Sequence, residues 1–286
     1  MLSKRIIGAV LMDSDLVIQS REFGNYLPVG RPEITVDYFS RWGADEILLI
    51  DVSRTRRGLE PNYQLIENCS IFSGVPLAYG GAVSSLDMSR RVFLAGADKI
   101  VINAAASASL IRSISESFGS QSVILSIDII KVGDSYKLYN YLTREYSAQT
   151  LEEYIGLLNS WGIGEILIQL VNRDGVKNGF DIDLINRISS QSHMPIIVLG
   201  GAGKSTHFSE LFENTAAEAG AAANYLHFTE HSIAVLKSLL ASNQIIRNDS
   251  LMRYSNHTFD NYDRLKKLDE EALEALYYHK IVVEKI

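Results

Sequence analysis

The stretch "GADEILLIDVSR" (43–54) decides the fold, because it returns as "GIGEILIQLVNR" (162–173). Each copy starts at a glycine, passes a short polar step and enters an apolar, β-branched run too short for a helix. Such a run, closed by a polar turn, reads as a strand buried on both faces. At the same offset "VPLAYGGA" (75–82) matches "MPIIVLGG" (194–201), so the repeat spans more than one strand. Self-similarity on this scale predicts two duplicated halves of one architecture.

Outward from this pair, comparable runs lie at 5–10, 46–52, 75–79, 99–103, 122–128, 165–171, 195–199 and 218–224. Between them, apolar residues recur at helical spacing: Ile34, Tyr38 and Trp42; Leu86, Val92 and Phe93; Leu110, Ile111 and Ile114; Leu151, Ile155 and Leu158; Leu184, Ile185 and Ile188. These are expected in the core. Several helices should stop at a glycine, as in "RWGADE", "LAGADK" and "SWGIGE", where a positive φ ends the helix. Eight alternations within residues 1–247 predict an α/β protein, a closed (β/α)8 TIM barrel of two half-barrels. After Arg247 the alternation stops, and 248–286 reads as a C-terminal extension with a helix over 268–280. Leu273, Leu276, Tyr277 and the terminal "IVV" suit packing on the barrel or on a partner.

A formal charge of −7 argues against nucleic acid or an anionic membrane as partner, while leaving room for a local pocket that takes a phosphorylated small molecule. The single Cys69 sits beside Leu65 and Ile66 and reads as a buried structural thiol in a reducing compartment. With no cleavage signal and no apolar run of about 20 residues, a soluble cytoplasmic protein is expected.

Barrels of this kind place their chemistry at the C-terminal ends of the strands. There the sequence puts Asp51, Asp128 and, in "NRDG", Asp174 and Gly175. Glycine turns follow the third and seventh strands, "YGGA" with Gly80 and Gly81 and "LGGAGKS" with Gly200, Gly201 and Gly203. Two such turns at duplicated positions suit a ligand with two separated phosphates. "GGAGKS" lacks the spacing of a Walker loop. His227 and His231 stand four apart without a nearby acid, which favours a polar pair at a helix start over a metal site.

"KRII", "GADEILLID", "AGADKIVINAAA", "FGSQSVILSID", "NRDG", "GGAGKSTHF" and "HFTEHSI" together resemble the HisF subunit of imidazole glycerol phosphate synthase over residues 1–247. The resemblance implies a cyclase that needs no cofactor. It would receive ammonia through the barrel from a HisH-type glutaminase and act on a bisphosphorylated aminoimidazole-carboxamide ribonucleotide. It further implies an ammonia gate at Arg5, Glu46, Lys99 and Glu165, with Asp98 at the glutaminase interface. Gly81, Asn103, Asp174, Gly175, Gly201, Gly203 and Asn224 would bind phosphate or substrate, and Asp51 and Gln169 would line the mouth. A purely structural ion cluster is the alternative reading of the gate, since charges so near the core must pair.

At the mouth the sequence departs from the family. One catalytic aspartate is matched by Asp128, but Leu11 stands where the other belongs, and Gln19 replaces the lysine of the next loop. Ala82, Ala104, Gln169 and Asn172 replace a glycine, two threonines and an aspartate. Asp13 lies about 6–7 Å along an extended chain from position 11, too far for an acid–base role. An acid-free first strand, "VIQS", "YLPVGRPEI" and the extension are together similar to a HisF branch encoded with surface-polysaccharide genes. That branch pairs with a HisH-like glutaminase and a separate sugar amidotransferase, and is implicated in acetamidino modification of a sugar. The leading expectation is an ammonia-channel subunit of a glutamine-dependent amidotransferase. A true cyclase using Asp128 alone, in histidine biosynthesis, and a non-catalytic glutaminase-activating scaffold are the alternatives.

Overall fold

The computed structural model describes residues 3–103, 106–241, 246–247, 254, 259–275 and 277. Ala104 and the segments 278–280 and 281–283 of the expected C-terminal helix and tail lie outside the described residues.

Eight parallel strands close on themselves: β1 (Arg5–Asp13), β4 (Glu46–Asp51), β5 (Leu77–Gly80), β6 (Lys99–Ile102), β7 (Val123–Val132), β10 (Glu165–Leu170), β11 (Ile196–Leu199) and β12 (Ala219–Ala222), which pairs back to β1. A helix follows each: α1 (Pro32–Arg41), α2 (Tyr63–Phe72), α3 (Leu86–Leu94), α4 (Ala108–Phe118), α5 (Leu151–Leu158), α6 (Ile182–Ser189), α7 (Ser205–Asn214) and α8 (Ser232–Leu240). This is the (β/α)8 barrel that the alternation predicted. Gly43 and Gly96, at positive φ, directly follow the C-caps of the helices before β4 and β6, whereas the helix before β10 ends earlier, at Leu158, and Gly162 turns the chain three residues past its cap.

Alternation along each strand divides the buried residues in two. Val10, Ile47, Leu49, Ile100 and Ile166 face outward into the layer beneath the helices, with Cys69, whose burial pushes its thiol up to about 12. Ile7, Ala9, Leu48, Ala78, Leu167 and Ala219 belong to a second cluster that fills the barrel interior.

Two hairpins were not foreseen. β1 runs past residue 10 because β2 (Leu16–Arg21) folds back on its end, Met12 against Val17, and β3 (Asn25–Gly30) extends the ribbon. β7 likewise outruns residue 128 to pair with β8 (Ser135–Asn140), followed by β9 (Glu145–Tyr146). The helical phase of α1 also differs from expectation. Pro32 at its first turn sets a register that buries Thr35, Val36 and Phe39, leaving Ile34 at 52% and Tyr38 at 50% exposure.

At the N-terminal end of the barrel, three acids in the turns before β4, β6 and β12 accept the otherwise unpaired N–H at or near the start of the preceding barrel strand. Asp45 takes Ile6 at 2.7 Å, Asp98 takes Leu77 at 2.8 Å and Glu218 takes Ile196 at 2.7 Å. Asp45 also pairs with Lys237 of α8 at 2.7 Å, both side chains being almost fully buried.

The described residues of the extension touch α8 and α7. Ile246 bridges to Lys4 at the foot of β1, Tyr254 stacks on His231, and Asp263 reaches the first turn of α7. A single short helix, α9 (Glu270–Glu274), occupies the described part of the expected 268–280 helix.

Candidate functional site

Arg5, Glu46, Lys99 and Glu165 are the first residues of β1, β4, β6 and β10. Strand starts share one end of a parallel barrel, so four charges that are far apart in sequence meet there. Arg5 bonds Glu46 at 3.1 Å and also Glu165, while Lys99 bonds Glu46 at 2.8 Å and Glu165 at 2.7 Å. The result is a closed ring of alternating charge across the foot of the barrel. Burial pushes the Glu165 carboxyl up, but Arg5 and Lys99 outweigh it and hold the group below its usual range. Glu46 is more deeply buried, and there burial prevails over Lys99 and Arg5 and raises the carboxyl.

Above the ring stands the apolar interior column, and at its far end the mouth. A cavity of about 310 Å³ opens there, lined by Leu11, Tyr26, Asp51, Asn103, Asp128 and Gln169 among others. Strand register sets these side chains: Gln169 lies opposite Asp128, and Leu11 opposite Ile50. In the order β1-β4-β5-β6-β7, β1 and β7 stand across the barrel from each other, so Leu11 faces the side that carries Asp128.

Asp128 is 5% exposed and accepts a hydrogen bond from Asn103 Nδ2 at 2.9 Å. Burial raises its carboxyl to about 7; the Asn103 bond opposes the shift and the charge of Asp174 adds to it. A group poised there exchanges a proton at neutral pH. Asp128, Ser126 and Asn103 also border a second cavity, of about 370 Å³, under the β8–β9 hairpin. Asp51 spends one carboxylate oxygen on its own loop, accepting from Ser53 N and Oγ and from Arg54 N. Ala82, at φ +57, donates its N–H to Thr55 Oγ1 at 3.0 Å.

The remaining expected phosphate residues do not line the mouth cavity. Asp174 accepts from Ser20 Oγ at 2.6 Å and from Phe23 N at 3.1 Å, so it holds the β2–β3 hairpin and, unlike Asp51 and Asp128, does not line the mouth cavity. Asn224 exchanges two bonds with the Ser20 backbone, at 3.2 and 2.7 Å. A Cβ on Gly175 would collide with the Ser20 carbonyl, and one on Gly201 with that of Gly179. The Gly203 N–H goes to His207 Nδ1 at 3.2 Å. Of the expected set, Gly81 and Asn103 alone face the cavity.

Asp98 is exposed at the foot of the barrel, one oxygen bound to Leu77 N. His227 packs half-buried against Phe39, and the loss of water there pushes its imidazole down to about 4, while His231 contacts Tyr254. Among the described residues no cluster of His, Cys, Asp and Glu is arranged to hold a metal, and no helix is long and apolar enough to cross a membrane.

Comparison with known proteins agrees with this geometry. Residues 5–232 match the model of a family described as histidine biosynthesis protein. A provisionally named imidazole glycerol phosphate synthase subunit hisF2 of Vibrio vulnificus is 34% identical over 263 residues, covering 91% of this chain and 97% of its own. Imidazole glycerol phosphate synthase subunit HisF of Clostridium botulinum is 34% identical over 244 residues, 84% of this chain and 96% of its own. That of Streptococcus mutans is 33% identical over 248 residues, 86% and 99%. With a closed barrel, a charged ring at its foot and a match along nearly its whole length, the chain belongs to the histidine biosynthesis protein family, among the HisF subunits of imidazole glycerol phosphate synthase.

Proposed function

We propose that this chain is the ammonia-conducting subunit of a glutamine-dependent amidotransferase whose acceptor is not the bisphosphorylated ribonucleotide of histidine synthesis. The observation that carries the reading is the alignment of the Arg5–Glu46–Lys99–Glu165 ring with an apolar interior that ends at Asp128, opposite an apolar Leu11. A small neutral molecule such as ammonia passes an apolar column without the desolvation cost that an ion meets. At the mouth, Asp128 can hold or release a proton near neutrality, but across from it β1 presents Leu11, and the strand's one acid, Asp13 at its end, is paired with Arg57 at 2.9 Å and does not line the cavity.

Ammonia enters from a HisH-type glutaminase docked at the foot of the barrel. Supporting this, Ile71 and Phe72 at the end of α2 and Leu94 at the end of α3 are exposed large apolar residues at that end, near the exposed Asp98. The acceptor we favour is an acetamido sugar of a surface polysaccharide, converted to the acetamidino form with a separate sugar amidotransferase. This chain then serves mainly as the conduit.

A second reading, a cyclase that works with Asp128 alone, draws on the raised carboxyl of that residue. Two assays decide between them. The purified chain, given the bisphosphorylated ribonucleotide and excess ammonium, should turn nothing over. Reconstituted with its glutaminase, it should raise glutamine hydrolysis and pass ammonia to the sugar acceptor. Turnover at the rate of an ordinary cyclase overturns the proposal.

A further inference from the structure

The cavity of about 370 Å³ under the β8–β9 hairpin has no part in the conduit. It shares Asn103, Ser126 and Asp128 with the mouth cavity, and every other residue that lines it is its own. The two spaces therefore have one wall in common, and the Asp128 carboxyl stands in that wall.

The structure around this second cavity is braced. Tyr139 lies opposite Tyr146 and Asn140 opposite Glu145 in the hairpin, and Asn140 Oδ1 holds the turn between them by accepting from Leu142 N at 2.9 Å and Thr143 N at 3.3 Å. Ser147 N, just past β9, donates to the Leu138 carbonyl at 2.9 Å. Tyr154 reaches the cavity from α5, whose start is fixed by the reciprocal cap of Thr150 and Glu153, and its ring meets Trp161 edge-on at 6.0 Å. The phenol groups of Tyr139, Tyr146 and Tyr154 and the side-chain amide of Gln149 make no hydrogen bond among the described residues. These donors and acceptors are open to a ligand.

The lining also selects the class of ligand. Its charged members among the described residues are the acids Glu145 and Asp128, with no lysine, arginine or histidine, so a phosphate or carboxylate would find no counter-charge there. Tyrosine offers a flat apolar face with a polar edge, and here three tyrosines stand among the hydroxyls and amides of Thr143, Ser147 and Gln149. A sugar ring has the matching surface, a face of C–H groups rimmed by hydroxyls. At the inner wall, Ile127 and Leu138 supply an apolar rest for a methyl group beside the polar Asn103 and Ser126, which suits an acetamido substituent. The volume falls within the range of about 300–1,000 Å³ common to small-molecule sites.

We propose that the cavity under the β8–β9 hairpin binds the sugar ring of the acceptor, a neutral N-acetylhexosamine residue whose acetamido group lies against the wall shared with the mouth cavity. That the bound sugar is the acceptor rests on the amidotransferase reading; that the cavity binds such a sugar does not.

The test is a titration of the 15N-labelled full chain with N-acetylglucosamine and with N-acetylgalactosamine. It is read at the amides of Tyr139, Tyr146 and Gln149 and, for the mouth cavity, at those of Thr55 and Ala82. At least one sugar should shift the first group saturably, with a dissociation constant on the order of 1 mM, and leave the second in place. Glucose, which lacks the acetamido group, should bind at least about fivefold more weakly, and inorganic phosphate should not shift the first group. Tyr146→Ala, at a position 54% exposed, should weaken sugar binding about tenfold. Gln149→Ala, outside the strands, should weaken it about threefold or more, and it serves if the tyrosine variant loses the hairpin. No saturable shift with either sugar, or shifts confined to Thr55 and Ala82, overturns the proposal. So does glucose bound equally well, phosphate bound at the first group, or unchanged affinity in the folded variants. Sugar binding without ammonia transfer would remove the conduit reading and leave the cavity assigned; ammonia transfer without sugar binding would do the reverse.

Discussion

Asn103 Nδ2 donates to Asp128 Oδ2 at 2.9 Å, and this bond is made to a carboxyl that burial has already raised to about 7. The sign of the pH dependence follows. Between 3.8 and about 7 the folded protein keeps a proton that the unfolded chain has released. The contribution of Asp128 to stability therefore falls as pH rises through that window. Asp128→Asn should stabilise the fold above pH ~7, by on the order of 2–4 kcal/mol, and change little below pH ~4. Urea melts at the two pH values check this; an equal effect at both would mean that Asp128 does not titrate in that window. Acceptor amination, if Asp128 moves the proton, should drop about 100-fold or more in the same variant.

Lys99→Met removes one cation from a ring in which it bonds both Glu46 and Glu165. Arg5 alone must then neutralise two carboxylates. Since the Lys99 side chain keeps 18% exposure, solvent screens part of the loss, and roughly 1–3 kcal/mol of destabilisation is expected. Glu165 has its carboxyl held low, so its share of stability is present above about 4.5 and is lost as the pH falls; the variant should show a weaker acid transition. In the reconstituted complex, glutamate release should persist while acceptor amination falls. Equal losses in both, or none in either, would make the ring a structural ion cluster.

Leu11 is 6% exposed and packs in the interior cluster with Ile18, with Tyr26 and Ile50 against it. Leu11→Asp restores the family's acid but buries it without a partner, at a cost of about 2–4 kcal/mol. Combined with Gln19→Lys, it should recover at most a trace of cyclase turnover, because the surrounding wall stays apolar. Turnover approaching that of an ordinary cyclase would show that two side chains alone separate the functions.

Periodicity and the repeat were enough for the barrel, because a parallel strand buried on both faces leaves a run that polar segments cannot imitate. That Arg5, Glu46, Lys99 and Glu165 share one end of the barrel was equally legible, each being the first residue of such a run, whereas their reading as a gate came from the resemblance to HisF. Helix phase was less so: Pro32 fixed where α1 begins, and the spacing of Ile34, Tyr38 and Trp42 did not reveal it. The β2–β3 hairpin leaves a signal in "LVIQSREFGNYLPVG", two strand-like segments about a turn at Gly24, but it lies outside the eightfold alternation that carries the barrel. The bonds of Asp174 and Asn224 to the hairpin left no trace in the local pattern. Their partner, Ser20, lies 154 and 204 residues away, and a carboxylate beside a glycine looks the same whether it holds a ligand or a hairpin.

That distinction can be measured. Asp174 binds Ser20 Oγ and Phe23 N, its carbonyl takes Glu22 N at 3.0 Å, and Gly175, at φ +68, lies against the Ser20 carbonyl. Asp174→Ala removes two charge-assisted bonds and should free the hairpin locally by about 2–3 kcal/mol, with little effect on the barrel. Gly175→Ala should do the same by a different route, since its Cβ meets the Ser20 carbonyl and its φ is unfavourable for alanine. Hydrogen exchange should accelerate roughly 30- to 100-fold at Ser20, Glu22 and Phe23 in both variants, while β11 and β12 stay protected. The opposite pattern, lost phosphate binding with unchanged exchange in the hairpin, would return Asp174 and Gly175 to a phosphate site and make the hairpin bonds incidental.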